Sequence, residues 1–281
     1  MSRLFLASEE IASGRITRRD LRRSYAKVFQ GVYRRSDTEL TAVDRAVAAW
    51  LWSNREATVA GHSAAALLGS RWLTPDVPVE LIRPEYRSPA GIIIHADALA
   101  GDETCTIDGI RCTTAARTAY DMGRRLPFTE GLIRTDALLN ATRLPISAVH
   151  DVAQRYPGAR GIRRLRDVIA IADGGAESPQ ETRVRLILIR GGLPRPETQI
   201  PIGWRRIDMG WEQWKVGVEY DGPQHWLSPD QIRADIERHE LFATLGWRIV
   251  RVVADHVRLD PQGIVNRAAR ALAAAGWSPK L

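Results

Sequence analysis

The sequence predicts a mixed α/β (α+β) protein with a small winged helix at its start, a β-containing middle domain and an α/β domain at its end. Its 281 residues exceed the needs of one small domain, and 44% of them are hydrophobic, so two or three cores can be filled. Helical and strand periods both recur along the chain. A stretch with Pro and Gly at 156–161 marks a boundary between parts.

Four segments follow from these patterns. In the first, Thr17 is a plausible N-cap for a short basic helix, and 26–35 reads as a strand pair that forms the wing. In the last, a helix at 179–191 precedes three strands, a helix, a strand and a final helix. The predicted divisions are 1–36 for the winged helix-turn-helix, 37–155 for a middle scaffold, 156–175 for a linker helix and 176–281 for the C-terminal domain.

Positive charge is concentrated in the first segment. The net charge of +7 and the pI of about 9.9 favour a polyanionic partner. The helix and wing place basic side chains where a helix-turn-helix contacts phosphate, although a solvated basic face would have the same composition. The predicted DNA contacts of this segment are Arg18, Arg19, Arg22, Arg23, Lys27 and Arg34.

No membrane segment is expected. The apolar start is interrupted at Glu9 and Glu10, which argues against a signal peptide. No apolar run approaches the roughly 20 residues that span a bilayer. We therefore expect a cytoplasmic protein.

Carboxylates stand at unusual places in the last segment. Glu181 lies in the first turn of a helix, Asp208 on a strand, and Glu219 and Asp221 on one face of the next strand. Burying such a group without a cation is costly. Magnesium prefers oxygen ligands, and Mn²⁺ can replace it. The pattern predicts a Mg²⁺ site at Asp208, Glu219 and Asp221 that acts on a phosphodiester.

Each of these residues also has a purely structural interpretation. Residues 178–181 fit a capping box, so Glu181 could serve only the helix. Asp208 could pair with a neighbouring arginine, and Asp221 begins an ordinary Asp-Gly turn. His225 could activate water, contact phosphate or belong to the turn. Glu219 has the weakest structural explanation, because it stands in a core-type strand where a lone charge needs a partner.

Arginines on helices that border this site are candidate phosphate contacts or merely solvated side chains. They are Arg183, Arg185, Arg233 and Arg238.

Several motifs of the last segment follow one another in an order that resembles a known family. They are residues 178–181, 192–196, 206–208, 218–222 with His225, 235–238 and 246–251. Together they resemble the endonuclease-like domain of unknown function related to very-short-patch-repair (Vsr) nucleases, within the PD-(D/E)XK superfamily. The match covers roughly the last third of the chain, a plausible length for one domain.

This resemblance implies a restriction-endonuclease-like α/β domain, with a small mixed sheet flanked by helices. It implies metal binding by Asp208 and Glu219, with Glu181 completing the site. Asp221 stands where the superfamily motif has lysine, so the group that orients the attacking water is open. His225 is the first candidate, and Lys215, placed on the same strand face, is the second.

The N-terminal half is similar to AbiEi-type antitoxin domains. The similarity rests on residues 14–33, which read as a winged helix, and on the following segment 62–69. It implies DNA binding and a possible role in autoregulation.

Two functions fit these observations. The first is a Mg²⁺-dependent DNA endonuclease with an N-terminal DNA-binding module. The second is a non-catalytic DNA-binding regulator or antitoxin whose nuclease fold has decayed. RNA as a substrate, a homo-oligomer and a toxin or repair partner stay open at this level.

Overall fold

The computed structural model describes residues 4–84, 88–222 and 229–279, with the side chains of 229–232 and 235 outside the description. The chain forms two compact units, Met1–Ala172 and Asp173–Leu281. The described residues contain twelve α-helices and three β-sheets, so the predicted mixed α/β class is confirmed. Among these residues, no helix is long and apolar enough to cross a membrane.

The first unit begins with a three-stranded antiparallel sheet of order β1-β3-β2. Thr17 caps α2 through its side chain, as the sequence predicts, and Asp20 completes a capping box. The strand pair expected as the wing is β2 and β3, whereas β1 was not predicted. The elements are β1 (Leu4–Leu6), α1 (Ala7–Ala12), α2 (Arg18–Ser24), β2 (Tyr25–Phe29) and β3 (Val32–Arg35).

A five-stranded mixed sheet of order β6-β5-β4-β8-β7 follows in the same unit. Its core is shared with the first sheet, because Leu4 and Val32 pack in one cluster with Val59 and Leu81. The elements are α3 (Ala42–Trp52), β4 (Thr58–Ala60), α4 (Gly61–Leu67), β5 (Val79–Ile82), β6 (Ile92–His95), β7 (Thr104–Ile107) and β8 (Ile110–Thr113).

Four helices complete the first unit. They are α5 (Ala115–Arg125), α6 (Phe128–Thr142), α7 (Ile146–Arg155) and α8 (Ile162–Ile171). Helix α8 lies within the segment expected as a linker, yet Leu165 and Val168 are fully buried. The division between the units comes directly after it, at 172/173.

The second unit is a four-stranded sheet of order β12-β11-β10-β9 with helices on both faces. β9, β10 and β11 are antiparallel, and β12 joins β11 in parallel after the crossover through α10. The elements are α9 (Pro179–Arg190), β9 (Glu197–Ile202), β10 (Arg205–Trp211), β11 (Val216–Asp221), α10 (Pro229–Thr244), β12 (Arg248–Val253), α11 (Ala254–Leu259) and α12 (Pro261–Ala274).

Two facing glycines on β10 and β11 stand where the fold leaves no room for a side chain. Gly210 and Gly217 face each other in the register of these strands. A Cβ on Gly210 would collide with the carbonyl oxygen of Val216, and one on Gly217 would lie 2.8 Å from Ile207 Cγ2. A side chain at Gly210 would therefore strike the backbone of β11, whereas one at Gly217 would strike the side chains of Ile249 and Ile207.

Candidate active site

The predicted acids lie on three neighbouring elements of the second unit. Glu181 is in the first turn of α9, Asp208 is on β10, and Glu219 and Asp221 are on β11. The β10–β11 ladder ends at the pair of Met209 and Val218, and Asp208 and Glu219 are the next residues of the two strands beyond it. The fold thus brings the four acids to one region of the sheet.

Glu181 is held by the start of its helix. Ser178 is the N-cap and accepts a hydrogen bond from the Glu181 N–H, with Pro179 in the first turn. The Glu181 carboxylate also hydrogen-bonds with the Ser178 side chain. It accepts from the N–H of Glu177 at 2.8 Å and from Nε2 of Gln199 at 3.4 Å. The helix cap therefore positions the Glu181 carboxylate beside a residue of the sheet.

Glu181 is buried, with 9% of its surface exposed. Burial, together with repulsion from Asp208, raises its pKa to about 7. A carboxyl group in this state exchanges its proton near neutral pH.

Asp208 is a second acid with a raised pKa. Burial is the main cause, and Asp221 and Glu177 add repulsion, while a hydrogen bond from the Tyr220 N–H and the charge of Arg238 act in the opposite direction. That N–H lies 2.8 Å from Oδ2 of Asp208 and fixes the carboxylate against β11.

The alternative in which Asp208 pairs with Arg205 or Arg206 is not what the structure contains. Arg206 bonds to Glu177 at 3.0 Å, and Arg205 stacks over the ring of Trp204 at 3.9 Å.

The strand β10 changes face at Asp208. Ile207 packs in a cluster with Phe242 of α10, whereas Met209 packs in the cluster with Val184 of α9. In a regular strand, residues two apart point to the same face. The alternation is therefore interrupted at Asp208, so that this side chain leaves the two apolar layers.

The neighbouring strand has an irregularity at the matching position. Ile200 pairs with Ile207 and Thr198 pairs with Met209, while the intervening pair of Gln199 and Asp208 is missing from the ladder. Gln199 has φ of +53°, a left-handed conformation that is rare in a strand for residues other than Gly. The sequence contains no turn signal here that could have indicated it.

Glu219 is almost completely buried, with 2% of its side chain exposed. The guanidinium Nη2 of Arg238 lies 3.4 Å from its Oε2, and Nε2 of His239 lies 3.9 Å from the same oxygen. Both partners come from α10, which crosses the face of the sheet opposite to α9. Arg238, expected at DNA phosphate, thus contributes positive charge inside the candidate site, and His239 was missed.

Asp221 lies at the end of β11 and pairs with β12. Its Oδ2 accepts a hydrogen bond from Nε of Arg251 at 2.6 Å. The parallel register places Arg251 opposite Glu219, two residues before the level of Asp221. This partner comes from 30 residues along the chain, so only knowledge of the parallel pairing could have indicated it.

The acids of the site have the donor chemistry that a hard divalent cation prefers, but the described side chains are not grouped around one cation position. Asp208, Glu219, Asp221 and Glu181 are all carboxylates, which are the ligands that Mg²⁺ prefers. Within the described residues, no group of three or more His, Cys, Asp or Glu side chains is arranged to hold a metal ion. Arg238 and Arg251 instead supply the neighbouring positive charge.

His225 and Lys215 are the two residues expected to orient the attacking water, and the structure describes only Lys215. His225 lies outside the described residues. Lys215 precedes β11 with φ of +48°, and its Nζ donates to the carbonyl of Leu245 at 2.9 Å. Lys215 is therefore not on the strand face with Glu219, and that expectation was wrong, because a short 3₁₀ turn ends at this residue.

The basic residues expected at DNA fall into two groups. Those of the first unit are mostly exposed, but Arg34 donates to the backbone carbonyls of Arg35 and Ser36 and so supports the loop after β3. Arg185 is fully buried inside the second unit, so it cannot contact phosphate at the surface. The exposed members are Arg18, Arg19, Arg22, Arg23, Lys27 and Arg233, with Arg183 half-buried.

The first unit contains a different group of buried charges. Oε1 of Glu80 accepts a hydrogen bond from the backbone N–H of His62 at 2.9 Å and lies 2.9 Å from Nδ1 of the same residue. Oε2 of Glu80 lies 2.8 Å from Nε2 of His95. Arg117, with 2% of its side chain exposed, bonds to Glu103 and Asp121. These acids were missed because the middle segment was interpreted as a scaffold without a catalytic constellation.

Comparison with known proteins places the second unit in a nuclease-like group. The restriction-endonuclease-like family model REase_MTES_1575 matches residues 181–272, which contain all four acids. The expected restriction-endonuclease-like domain is consistent with this match. The specific Vsr and AbiEi resemblances stay predictions.

Two curated relatives cover most of the chain. The uncharacterized protein MT2308 of Mycobacterium tuberculosis strain CDC 1551 is 31% identical over 254 residues, which are 88% of this chain and 92% of the relative. The uncharacterized protein Rv2248 of strain H37Rv matches to the same extent. The chain belongs to their family. Its members share both units, since the match extends well beyond the restriction-endonuclease-like domain. No solved structure matches the chain significantly.

Proposed function

We propose that this protein is a metal-dependent endonuclease that hydrolyses phosphodiester bonds of DNA. The observation that carries the proposal is the pair of buried acids Glu181 and Asp208, whose pKa values are both raised within a restriction-endonuclease-like domain. A fold that keeps such groups together without neutralising them loses stability. Binding of a cation and a phosphodiester at this site would explain why the protein keeps acids that lower its stability.

Asp208, Glu219 and Asp221 would hold Mg²⁺, with Mn²⁺ as a substitute. When bound, the cation would polarise the phosphodiester and lower the pKa of a bound water. Glu181, with a pKa of about 7, is placed to hold or release a proton beside Asp208. Arg238 holds the Glu219 carboxylate from the α10 side.

The basic helix α2 would bind DNA phosphate in this proposal. Arg18, Arg19, Arg22 and Arg23 are all exposed on one short helix, next to the exposed Lys27. Contacts of this kind attract DNA without sequence preference and weaken as salt concentration rises. Residues 1–36 are thereby assigned the role of a winged helix that delivers duplex DNA to the second unit.

A second function is favoured by a different observation. Glu219 is paired with Arg238 and Asp221 with Arg251, so two of the proposed metal ligands already have cationic partners. A regulator that binds DNA without cutting it would be served equally well by such a neutralised site. This reading agrees with the acid at the position where the superfamily motif has lysine.

Cleavage by the full-length protein separates the two functions. Supercoiled plasmid, linear duplex, single-stranded DNA and RNA would be incubated with Mg²⁺, Mn²⁺ or EDTA. Asp208→Asn and Glu219→Gln should abolish metal-dependent cutting, while the exposed acid Glu212 in the same unit provides the matched control Glu212→Gln. If no form cuts, yet DNA binding is present and disappears when Arg18 and Arg22 are both changed to Ala, the regulator is the better conclusion.

A further inference from the structure

The two cysteines of the chain, Cys105 and Cys112, lie opposite each other on the β7–β8 hairpin. The turn of Asp108 and Gly109, in which both residues have positive φ, fixes the register that pairs them. Directly opposed residues of an antiparallel pair have Cα atoms about 4.5 or 5.5 Å apart, and both separations lie within the range found for disulfides. The backbone therefore already holds the two cysteines at the distance that a disulfide needs.

The side chains of the two cysteines are turned toward each other. Their Sγ atoms are 3.5 Å apart, and both are free thiols. Sγ of Cys105 also donates to the carbonyl of Thr113 at 3.8 Å, which holds its orientation. A bond between the two sulfurs, about 2.0 Å long, therefore needs only a small rotation of the side chains and no change of register.

The two thiols differ in their access to solvent. Cys112 is fully buried and packs in one core cluster with Val59 and Ile110, whereas Cys105 is partly exposed. Burial, together with the interaction with Cys105, raises the pKa of Cys112 to about 12, so its thiol stays protonated at neutral pH. Cys105 is therefore the thiol that an oxidant in solution reaches first, and Cys112 is placed to react second.

We propose that Cys105 and Cys112 are a redox modification site, which a low-molecular-weight disulfide converts to an intramolecular disulfide. The thiolate of Cys105 attacks one sulfur of the small disulfide, forms a mixed disulfide and releases one thiolate. Cys112 then loses its proton and attacks Sγ of Cys105, which forms the protein disulfide and releases the second thiolate. The protein gives up two electrons and two protons, and these convert the small disulfide into two thiols.

The same two thiols could instead serve only to fill the core of the first unit. A buried cysteine often packs as a small apolar side chain. The two roles differ in their response to a redox buffer, because a packing role leaves both thiols free at every ratio of disulfide to thiol. The proposal does not depend on the proposed cleavage activity, so either can fail without the other.

The test uses full-length protein equilibrated in glutathione buffers of increasing disulfide-to-thiol ratio, then alkylated and analysed by mass spectrometry. Both thiols should disappear together, with the loss of two hydrogen atoms and no added glutathione. The oxidised protein should unfold roughly 5–10 °C above the reduced protein, because the new bond constrains the loop 105–112 in the unfolded chain. Excess dithiothreitol should return both thiols and the original unfolding temperature.

Two variants separate the roles of the thiols. Cys112→Ala should stop at the mixed disulfide on Cys105, because no second thiol resolves it. Cys105→Ser should take up no glutathione, since Cys112 is buried. Glutathione on Cys112 in that variant would overturn the order of the two steps. The unfolding temperature of each reduced variant shows whether it is folded.

Three outcomes with the wild type would overturn the proposal. Both thiols could stay free in the most oxidising buffer, which is the result expected from a packing role. A persistent glutathione adduct would mean that Cys112 does not reach the mixed disulfide. A disulfide between two chains, detected as a dimer under non-reducing conditions, would mean that the facing thiols do not react with each other.

Discussion

Glu80 in the first unit and the pair of Glu181 and Asp208 in the second are buried carboxylates with opposite pKa shifts. In the first unit, burial alone would raise the pKa of Glu80, but hydrogen bonds with His62 and His95 hold it well below its ordinary value. In the second unit, burial raises the pKa of Glu181 and Asp208, and repulsion between acids adds to it. Buried acids thus do not by themselves mark a functional site. Glu181 and Asp208 differ from Glu80 because their surroundings do not offset the energetic cost of burying a carboxylate.

Removing the buried Arg117 of the first unit should have the largest effect on stability. Arg117 is buried between Glu103 and Asp121, with Nε 3.0 Å from the Asp121 carboxylate. Arg117→Met should lower the free energy of unfolding of the first unit by about 3–5 kcal/mol, because it leaves buried charges without their partner. Urea unfolding followed by circular dichroism measures this loss.

The control for this change is Arg35→Met. Arg35 pairs with Asp37 at 3.3 Å, and both side chains are largely exposed, so little stability should be lost. Equal losses in the two variants would mean that the buried network contributes no more than a surface ion pair.

Removing an acid from the pair of Glu181 and Asp208 should increase stability, the reverse of the loss expected for Arg117→Met. Because the folded-state pKa of Glu181 is raised from 4.5 to about 7, its contribution to stability is complete below its unfolded pKa and is lost as pH rises through the folded value. In EDTA, Glu181→Gln should match the wild type at about pH 4 and exceed it by up to about 3 kcal/mol at about pH 8. Urea unfolding at both pH values tests this.

Glu80→Gln is the matched control with the opposite sign. A lowered pKa contributes stability that is present above the unfolded pKa and is lost as pH falls through the folded value. Glu80→Gln should therefore be less stable than the wild type at neutral pH, and the deficit should shrink in acid. If Glu181→Gln behaved in the same way, the contrast between the units would be incorrect.

The smallest expected effect concerns the helix that carries Glu181. Ser178→Ala removes the side chain that caps α9 and should cost about 1 kcal/mol. Thr41→Ala removes an equivalent cap from α3 in the first unit, with a similar cost. We expect cleavage to decline in Ser178→Ala alone, since only that cap fixes the position of Glu181. Plasmid cleavage per folded molecule checks it, and equal activity in both variants would contradict it.

The elements of the second unit could be predicted closely from local patterns. The helix expected at 179–191 is α9 at Pro179–Arg190, and the strand expected at 215–221 is β11 at Val216–Asp221. Alternating apolar residues, a Ser-Pro cap and glycines at strand and helix ends are local signals, and they fix most boundaries. The short helix α11, at Ala254–Leu259, was not expected, because it follows a strand without a break.

The sequence predicts the acids of the site, but not the residues that pair with them. The sequence indicates Glu181, Asp208 and Glu219, because each acid stands at a position where a carboxylate is locally unusual. It does not indicate Arg251 for Asp221, because that pair joins strands 30 residues apart. Nor does it indicate the left-handed Gln199, because only the neighbouring strand and helix impose that conformation.

The lack of room for side chains at Gly210 and Gly217 has a consequence for how the history of this family could be read. Gly210 is required by the neighbouring backbone of β11, and Gly217 by the packing of Ile249 and Ile207, whether or not any bond is ever cut. Glu181 and Asp208, by contrast, lower the stability of the fold, so their retention needs a reason in chemistry. A lineage that abandoned catalysis would be free to discard the acids while still keeping both glycines. The two glycine positions and the two acid positions would therefore accumulate substitutions at different rates. The ratio of those rates would indicate how long ago a lineage lost its enzymatic activity.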